Sequence, residues 1–376
     1  MSVIAYTGAR VFDGTVLRDG ALVVEVGQVV VVGDVPAGAQ VVTLQGGVIV
    51  PGFVDLQVNG GGGVMLGDAP SVETLQTMAR AHAGLGATTI LPTLITDTPE
   101  VTAAAIAAVA QAVAEGVKGI AGLHLEGPHL SVARNGAHDV ALIRAMTEAD
   151  EAMLIAAAKA LPLLKITVAP ESVSPYQIRR LTAAGIIVSL GHSDCSYEAA
   201  WDAIASGATC VTHLFNAMSP LTARAPGLVG AALSGPVSAG LIADCIHVHP
   251  ATMRAACAAK LVPGGLFLVS DAMATAGSEI DTFTLNGREI RRANGRLTLA
   301  DGTLAGADLD LATAVRNIVA LGVDLSEALA MATSRPAKVA ALTGGQGTLT
   351  SGAPADFVHL GEDLTLQAVW QAGTKL

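Results

Sequence analysis

The stretch GVIVPGFVDLQVNGGGG (47–63) decides between two kinds of α/β fold. Its apolar run predicts a strand over 48–58. The run is continuous rather than alternating, which belongs to a parallel sheet covered on both faces. An open dinucleotide-binding sheet would follow such an early strand with Gly-x-Gly-x-x-Gly and a downstream acid. The four glycines at 60–63 have neither that spacing nor the acid. The strand ends instead in two polar residues, Gln57 and Asn59.

Seven further runs of this kind follow: 87–94, 120–126, 166–171, 185–192, 209–215, 239–247 and 266–271. Ala-, Leu- and Glu-rich stretches lie between them, as at 71–85, 100–115, 147–160 and 196–206. Eight strand–helix units with apolar strands predict a (β/α)8 TIM-type barrel. Helical segments at 308–321 and 325–342 close it. The stretch 281–304 carries NG and DG turns and predicts a β-hairpin insertion. Both ends of the chain are β-rich, in VIAYTGARVF (3–12), ALVVEVGQVVVVGD (21–34), QVVTLQGGVIV (40–50) and residues 346–373. The expected division is therefore residues 1–50 and 345–376 as two parts of a small β-sandwich, around a barrel over 51–344.

Composition narrows the function classes. Of 376 residues, 51% are hydrophobic and 14% charged, so a large core can be buried and the composition argues against disorder. A net charge of −11 with only 3% aromatic residues argues against a nucleic-acid partner. The longest apolar run, 101–114, is too short to span a bilayer and is bounded by Glu100 and Glu115. The N-terminus lacks the charge and apolar pattern of a signal peptide. Cys195, Cys210, Cys245 and Cys257 are scattered, with no Cys-x-x-Cys. No membrane association and a reducing, cytoplasmic setting are expected.

The chemistry lies at the C-terminal ends of the predicted strands, where barrel enzymes place their sites. Those ends carry Gln57 and Asn59, His124 and Glu126, Glu171, His192, His213, Asp244 and His247, and Asp271. A single buried histidine needs no special explanation. Four strand ends with histidine, beside several acids, do, because buried ionisable groups are costly unless paired or bound to metal. Two imidazoles and a carboxylate, from Glu126, His192 and His213, form a three-ligand set that leaves a position open for water, the pattern of catalytic zinc. Their separations of 66 and 21 residues match no local motif, so the barrel must bring them together. Iron, manganese or cobalt suit the same donors. Asp271, on the eighth strand, would sit beside the activated water as general base and then as acid to a leaving amine.

HLEGPHL (124–130), VSLGHSD (188–194), THLFNAM (212–218) with SPLTAR and APGLVG, IADCIHVHP (242–250) and VSDAMATAG (269–277) resemble, in order and spacing, the N-acetylglucosamine-6-phosphate deacetylases of the amidohydrolase superfamily. PGFVDLQVNG, GATTILPTL and MATSRPAKVAAL extend the resemblance over nearly the whole chain. It implies the barrel with a terminal β-sandwich, and hydrolysis of N-acetylglucosamine 6-phosphate to glucosamine 6-phosphate and acetate in amino-sugar catabolism or cell-wall sugar recycling. It puts the metal ligands on Glu126, His192 and His213 and the acid/base on Asp271. It implies a homodimer, with Asn216 and Ala217 at the sugar phosphate and Arg224 reaching the phosphate in the neighbouring subunit's site. His247 would meet the amide carbonyl or the phosphate, and His138 the sugar hydroxyls. Two-metal relatives have His-x-His where Gln57 and Asn59 stand here. Amides are weak ligands for transition metals, so one divalent metal per subunit is expected, zinc before Fe2+, Mn2+ or Co2+.

Of the remaining histidines, His82 is expected to pack on a helix, His249 to cap one, and His124 to support the ligands from behind. His129 stands where the family has an aromatic or apolar residue, and Asp244 and Cys245 read as strand-end support. The competing functions are deacetylation of the galactosamine epimer, hydrolysis of a cyclic amide by a different amidohydrolase, and a metal-poor sugar-phosphate binding protein.

Overall fold

The computed structural model describes residues 3–260 and 263–376. Eight parallel strands form its centre: β1 (Phe53–Val58), β2 (Ala87–Ile95), β3 (Leu123–Glu126), β4 (Leu164–Val168), β5 (Ile187–Leu190), β6 (Cys210–Val211), β7 (Ser238–Leu241) and β8 (Leu266–Leu268). They neighbour one another in chain order. The ring closes where the Asp271 N–H donates to the Gln57 carbonyl at 3.1 Å and the Asn59 N–H to the Ala272 carbonyl at 2.8 Å. This is the expected (β/α)8 barrel. Every residue of β1, β3 and β4 is buried. Helices cover the outside and side chains fill the inside, which is why these segments read as continuous rather than alternating runs.

The helices start at clear signals. Ser71 caps Val72–Gly84, and Thr98 caps Pro99–Ala114, whose first residue is the proline. Thr147 and Asp150 form a capping box on Glu148–Ala160, and Ser174 and Gln177 form one on Pro175–Ala183.

The expected strand 48–58 is two strands. Val48–Pro51 pairs antiparallel with Phe357–Leu360 and parallel with Arg10–Phe12, outside the barrel. Gly52 separates the two, at a point where a Cβ would sit 2.0 Å from Thr88 Oγ1 and only glycine fits. Beyond it the chain enters β1. A six-stranded sheet thus joins both ends of the chain, and it faces a four-stranded sheet built from residues 4–43. Between them lie Tyr6, Leu22, Ile49, Phe357 and Trp370. Phe357 stacks on Trp370 at 4.5 Å, and Tyr6 meets both edge-on.

The expected hairpin insertion is larger than one hairpin. Thr282–Leu285, Arg288–Ala293, Arg296–Thr298 and Leu304–Ala307 form a four-stranded antiparallel sheet. Its first two turns are Asn286–Gly287 and Asn294–Gly295, all four at positive φ, as type I′ turns require. Leu285, Ile290, Leu297 and Ala305 pack on Met65 and Met273, so the inserted sheet roofs the barrel mouth.

Candidate active site

Glu126 is the last residue of β3, and it is buried. Gly127 follows at φ +89, and a Cβ there would meet Thr96 Oγ1 at 2.2 Å, so the chain turns sharply away and leaves the carboxylate aimed into the mouth. His192 and His213 lie just beyond β5 and β6. Their Nε2 atoms are 3.3 and 3.0 Å from Glu126 Oε1 and 3.1 Å from each other. His192 has φ +45 and Asp271 φ +52, conformations that cost of order 1–3 kcal/mol for non-glycine residues and that gather at functional sites.

The three donors fit a metal ion. Two imidazole nitrogens and one carboxylate oxygen converge on a single point, and with His192 protonated at Nδ1 toward the Arg134 carbonyl its Nε2 has no hydrogen to give the Glu126 oxygen. Ligands about 2 Å from a tetrahedral ion stand about 3.3 Å apart, close to the spacing found. No other group of three or more His, Cys, Asp or Glu among the described residues has this arrangement. Burial works against ionisation of Glu126, but the two facing histidines hold its carboxyl well below the usual range. Burial lowers the His213 pKa, yet the hydrogen bond and charge of Glu126 raise it overall. His192 Nδ1 lies 2.9 Å from the Arg134 carbonyl, which fixes it as the protonated nitrogen and leaves Nε2 free to ligate.

Asp271 lies across the mouth. Gln57 Nε2 bridges the two acids, donating to Glu126 Oε1 and to Asp271 Oδ1, both at 3.1 Å. Asn59 Nδ2 donates to the same Asp271 oxygen at 2.8 Å. Burial, then the charge of Glu126, pushes the Asp271 carboxyl upward. The amide oxygens of Gln57 and Asn59 are buried without partners among the described residues. The two side chains at the end of β1 therefore orient the two carboxylates.

A cavity of about 440 Å³ opens above these groups. Asn216, Ala217, His138 and His247 line it, as the sequence suggested. His247 Nδ1 is 2.6 Å from Asp244 Oδ2, which points Nε2 at the cavity. His138 is buried against Thr96, with Nε2 3.8 Å from Glu126 Oε2. Burial, then His192, drives its pKa down to about 3, so it is neutral. Arg224 is not in this cavity. It lies in the exposed run 220–225 of its own chain.

Other residues take structural positions. His124 bonds Thr93 and Thr167, not Glu126. His82 meets the Gly60 carbonyl at 2.8 Å, His129 the Arg144 carbonyl at 3.1 Å, and His249 caps the helix Pro250–Ala259. Glu171 holds Ser193 and the Asp194 N–H beside His192. Sequence reasoning missed Leu285, Thr303 and Leu304, which line the cavity from the inserted sheet. Its turns were legible, but nothing local says that the insertion folds back over the mouth.

The sequence pattern of the amidohydrolase family matches residues 48–375, and the chain belongs to that family. The chain is 46% identical to the N-acetylgalactosamine-6-phosphate deacetylase of Shewanella sp. (strain ANA-3), over 89% of this chain and 84% of that one. It is 39% identical to the N-acetylglucosamine-6-phosphate deacetylase of Homo sapiens, over 87% and 83%. The crystal structure of N-acetylglucosamine-6-phosphate deacetylase from Pasteurella multocida superposes with a TM-score of 0.94 at 34% identity, covering 100% of this chain and 99% of that one.

Proposed function

We infer that the protein hydrolyses the acetamide of N-acetylglucosamine 6-phosphate, giving glucosamine 6-phosphate and acetate, a step of amino-sugar catabolism and cell-wall sugar recycling. The observation that carries this reading is the convergence of Glu126, His192 and His213 beside Asp271, under a cavity lined by Asn216, Ala217 and His247. Glu126, His192 and His213 would hold one divalent ion per subunit, zinc first, with iron, manganese or cobalt accepted by the same donors. Such an ion supplies Lewis acidity, activating water and polarising a carbonyl.

The side chains do the rest. Asp271 Oδ1 is engaged by the amides of Gln57 and Asn59, which leaves Oδ2 to take the proton of the attacking water. Once protonated, Asp271 delivers that proton to the amine nitrogen as the C–N bond breaks. His247, held by Asp244, turns Nε2 toward the carbonyl oxygen or the phosphate. Asn216 and Ala217 receive the sugar phosphate. His138, neutral, takes a sugar hydroxyl.

Among the described residues, no lysine or arginine side chain lines the cavity. A phosphorylated substrate needs a cation, and Arg224 of a second copy supplies it in a homodimer. Residues 1–50 and 345–376 form one sandwich unit around the barrel 51–344, a division supported by the pairing of Val48–Pro51 with Phe357–Leu360. All four cysteines are free, and no described helix is long and apolar enough to cross a membrane. Both observations support a cytoplasmic enzyme.

Acetate release tests the reading. Removing the 6-phosphate from the substrate, or substituting Arg224→Ala, should lower kcat/KM by roughly 100-fold, as loss of a charge-assisted contact implies. Equal turnover of unphosphorylated N-acetylglucosamine would sink it. The galactosamine epimer is the second reading, favoured by the 46% identity to the Shewanella enzyme. The ratio of kcat/KM values for the two epimers decides between them.

A further inference from the structure

His192 is wrapped by a short loop, residues 131–138. The Ser131 N–H donates to the His192 carbonyl at 2.8 Å. The Arg134 carbonyl holds His192 Nδ1. Gly136 lies against the ring: at φ +56, a Cβ there would be 3.3 Å from His192 Cε1. The loop ends in His138, whose ring meets that of His192 edge-on at 4.3 Å. Whatever fixes this loop fixes one metal ligand and part of the cavity wall.

His138 itself is tied to Thr96, just past the end of β2, and the rest of the loop has two further outer ties. On the exposed side Arg134 pairs with Asp194 at 2.8 Å. On the cavity side the tie comes from the inserted sheet, where Arg288 donates from Nη2 to the Ala137 carbonyl, 151 residues away in sequence. Arg288 directly follows the Asn286–Gly287 turn and pairs across it with Leu285. Cross-strand partners share a face. That face is the one that packs on the barrel mouth, carrying Leu285 and Ile290. A guanidinium on the apolar face of a roof is costly unless it has a partner. Its partner here is the backbone of the loop that sleeves His192.

We propose that Arg288 is a positioning residue for the metal centre. Through the Ala137 carbonyl it locks the 131–138 loop to the inserted sheet, and the loop holds His192 in the tautomer and place that ligation needs. The inserted sheet is thus part of the site's framework as well as its roof. Partners that orient a ligating histidine are commonly worth 10–100-fold in metal affinity.

Arg288→Met keeps the aliphatic stem on the apolar face and removes the donor, while Arg288→Lys keeps a donor. Zinc affinity of the apoprotein, by competition with a chelator, should fall about 10-fold in Arg288→Met and recover most of that in Arg288→Lys. Amide exchange of peptide 131–138 in the apoprotein should quicken by a similar factor in Arg288→Met, with exchange in the barrel strands unchanged. Zinc affinity and loop exchange within twofold of the unsubstituted protein would overturn the proposal. So would a rise in KM for the phosphorylated substrate alone, which would make Arg288 a substrate contact. If Arg288→Met does not fold, Arg288→Leu, which also lacks a donor, is put through the same two measurements. The inference rests on the metal-site reading. Failure of the unsubstituted protein to bind zinc defeats that reading, whereas equal binding by both proteins defeats only the role of Arg288.

Discussion

The barrel interior holds two polar layers, both buried and built in opposite ways. The deeper one is complete. His124 Nε2 meets Thr167 Oγ1 at 2.7 Å, Thr167 meets Thr212 at 2.7 Å, and Thr212 meets Ser189 at 2.6 Å. Burial, then the nearby Lys165, holds the His124 pKa well below its ordinary value, so the imidazole is neutral. The upper layer is incomplete. Two imidazoles face one carboxylate, and Gln57 Oε1, Asn59 Oδ1 and His213 Nδ1 have no partner among the described residues. Burial alone therefore does not mark a site. The layer whose polar atoms converge without satisfying one another is the one built to receive something.

The largest expected effect falls on the upper layer and divides it in two. Asp271→Asn should cut acetate release by roughly 1000-fold or more while zinc stays bound, since it removes the proton carrier and no ligand. Glu126→Gln should lose both zinc and activity, because it removes a ligand. Metal content measured beside turnover separates the two. An Asp271→Asn protein with near-normal turnover would end the acid/base assignment.

The next effect crosses between the layers. Asp55 lies two residues before Gln57 and is fully buried. It accepts from the Gln57 N–H at 3.1 Å and the Ser270 N–H at 3.2 Å. Burial pushes its pKa up to about 7, with a contribution from Asp271. A carboxyl with a raised folded pKa contributes stability that is fully present below its unfolded pKa of about 3.9 and is lost as pH rises toward 7. Three units correspond to on the order of 4 kcal/mol. Urea unfolding of the apoprotein should show Asp55→Asn gaining on the unsubstituted protein between pH 4 and 7, then keeping a constant margin. A margin independent of pH would mean that Asp55 is ionised throughout.

Much of this was legible in the sequence because barrel strands announce themselves twice, by a continuous apolar run and by the polar residue that ends it. Glu126, His192, His213 and Asp271 could be placed that way without knowing any distance. The need for glycine at position 52, where the run splits, was not legible, because the close approach comes from Thr88 on the next strand. The role of His124 was not legible either. Its spacing from Glu126 suggested support for the ligands, but its bonds run sideways to threonines on β2 and β4. Nothing in the sequence around Arg288 singles it out, and only the fold sets it against the loop around His192.

The smallest effect tests whether the two layers are independent. His124→Gln leaves the hydroxyl of Thr167 with a more flexible, smaller-volume partner in a fully buried position. A buried polar group left poorly satisfied costs about 1–3 kcal/mol. In a protein of this size that lowers Tm by a few degrees. If the deeper layer is a self-contained brace, zinc content and acetate release stay near normal while Tm falls, because His124 makes no bond to Glu126, His192 or His213. If zinc affinity falls as far as it does in Arg288→Met, the layers act as one unit and His124 supports the ligands as its spacing first implied. Calorimetry of the apoprotein with chelator competition on the same sample gives both numbers.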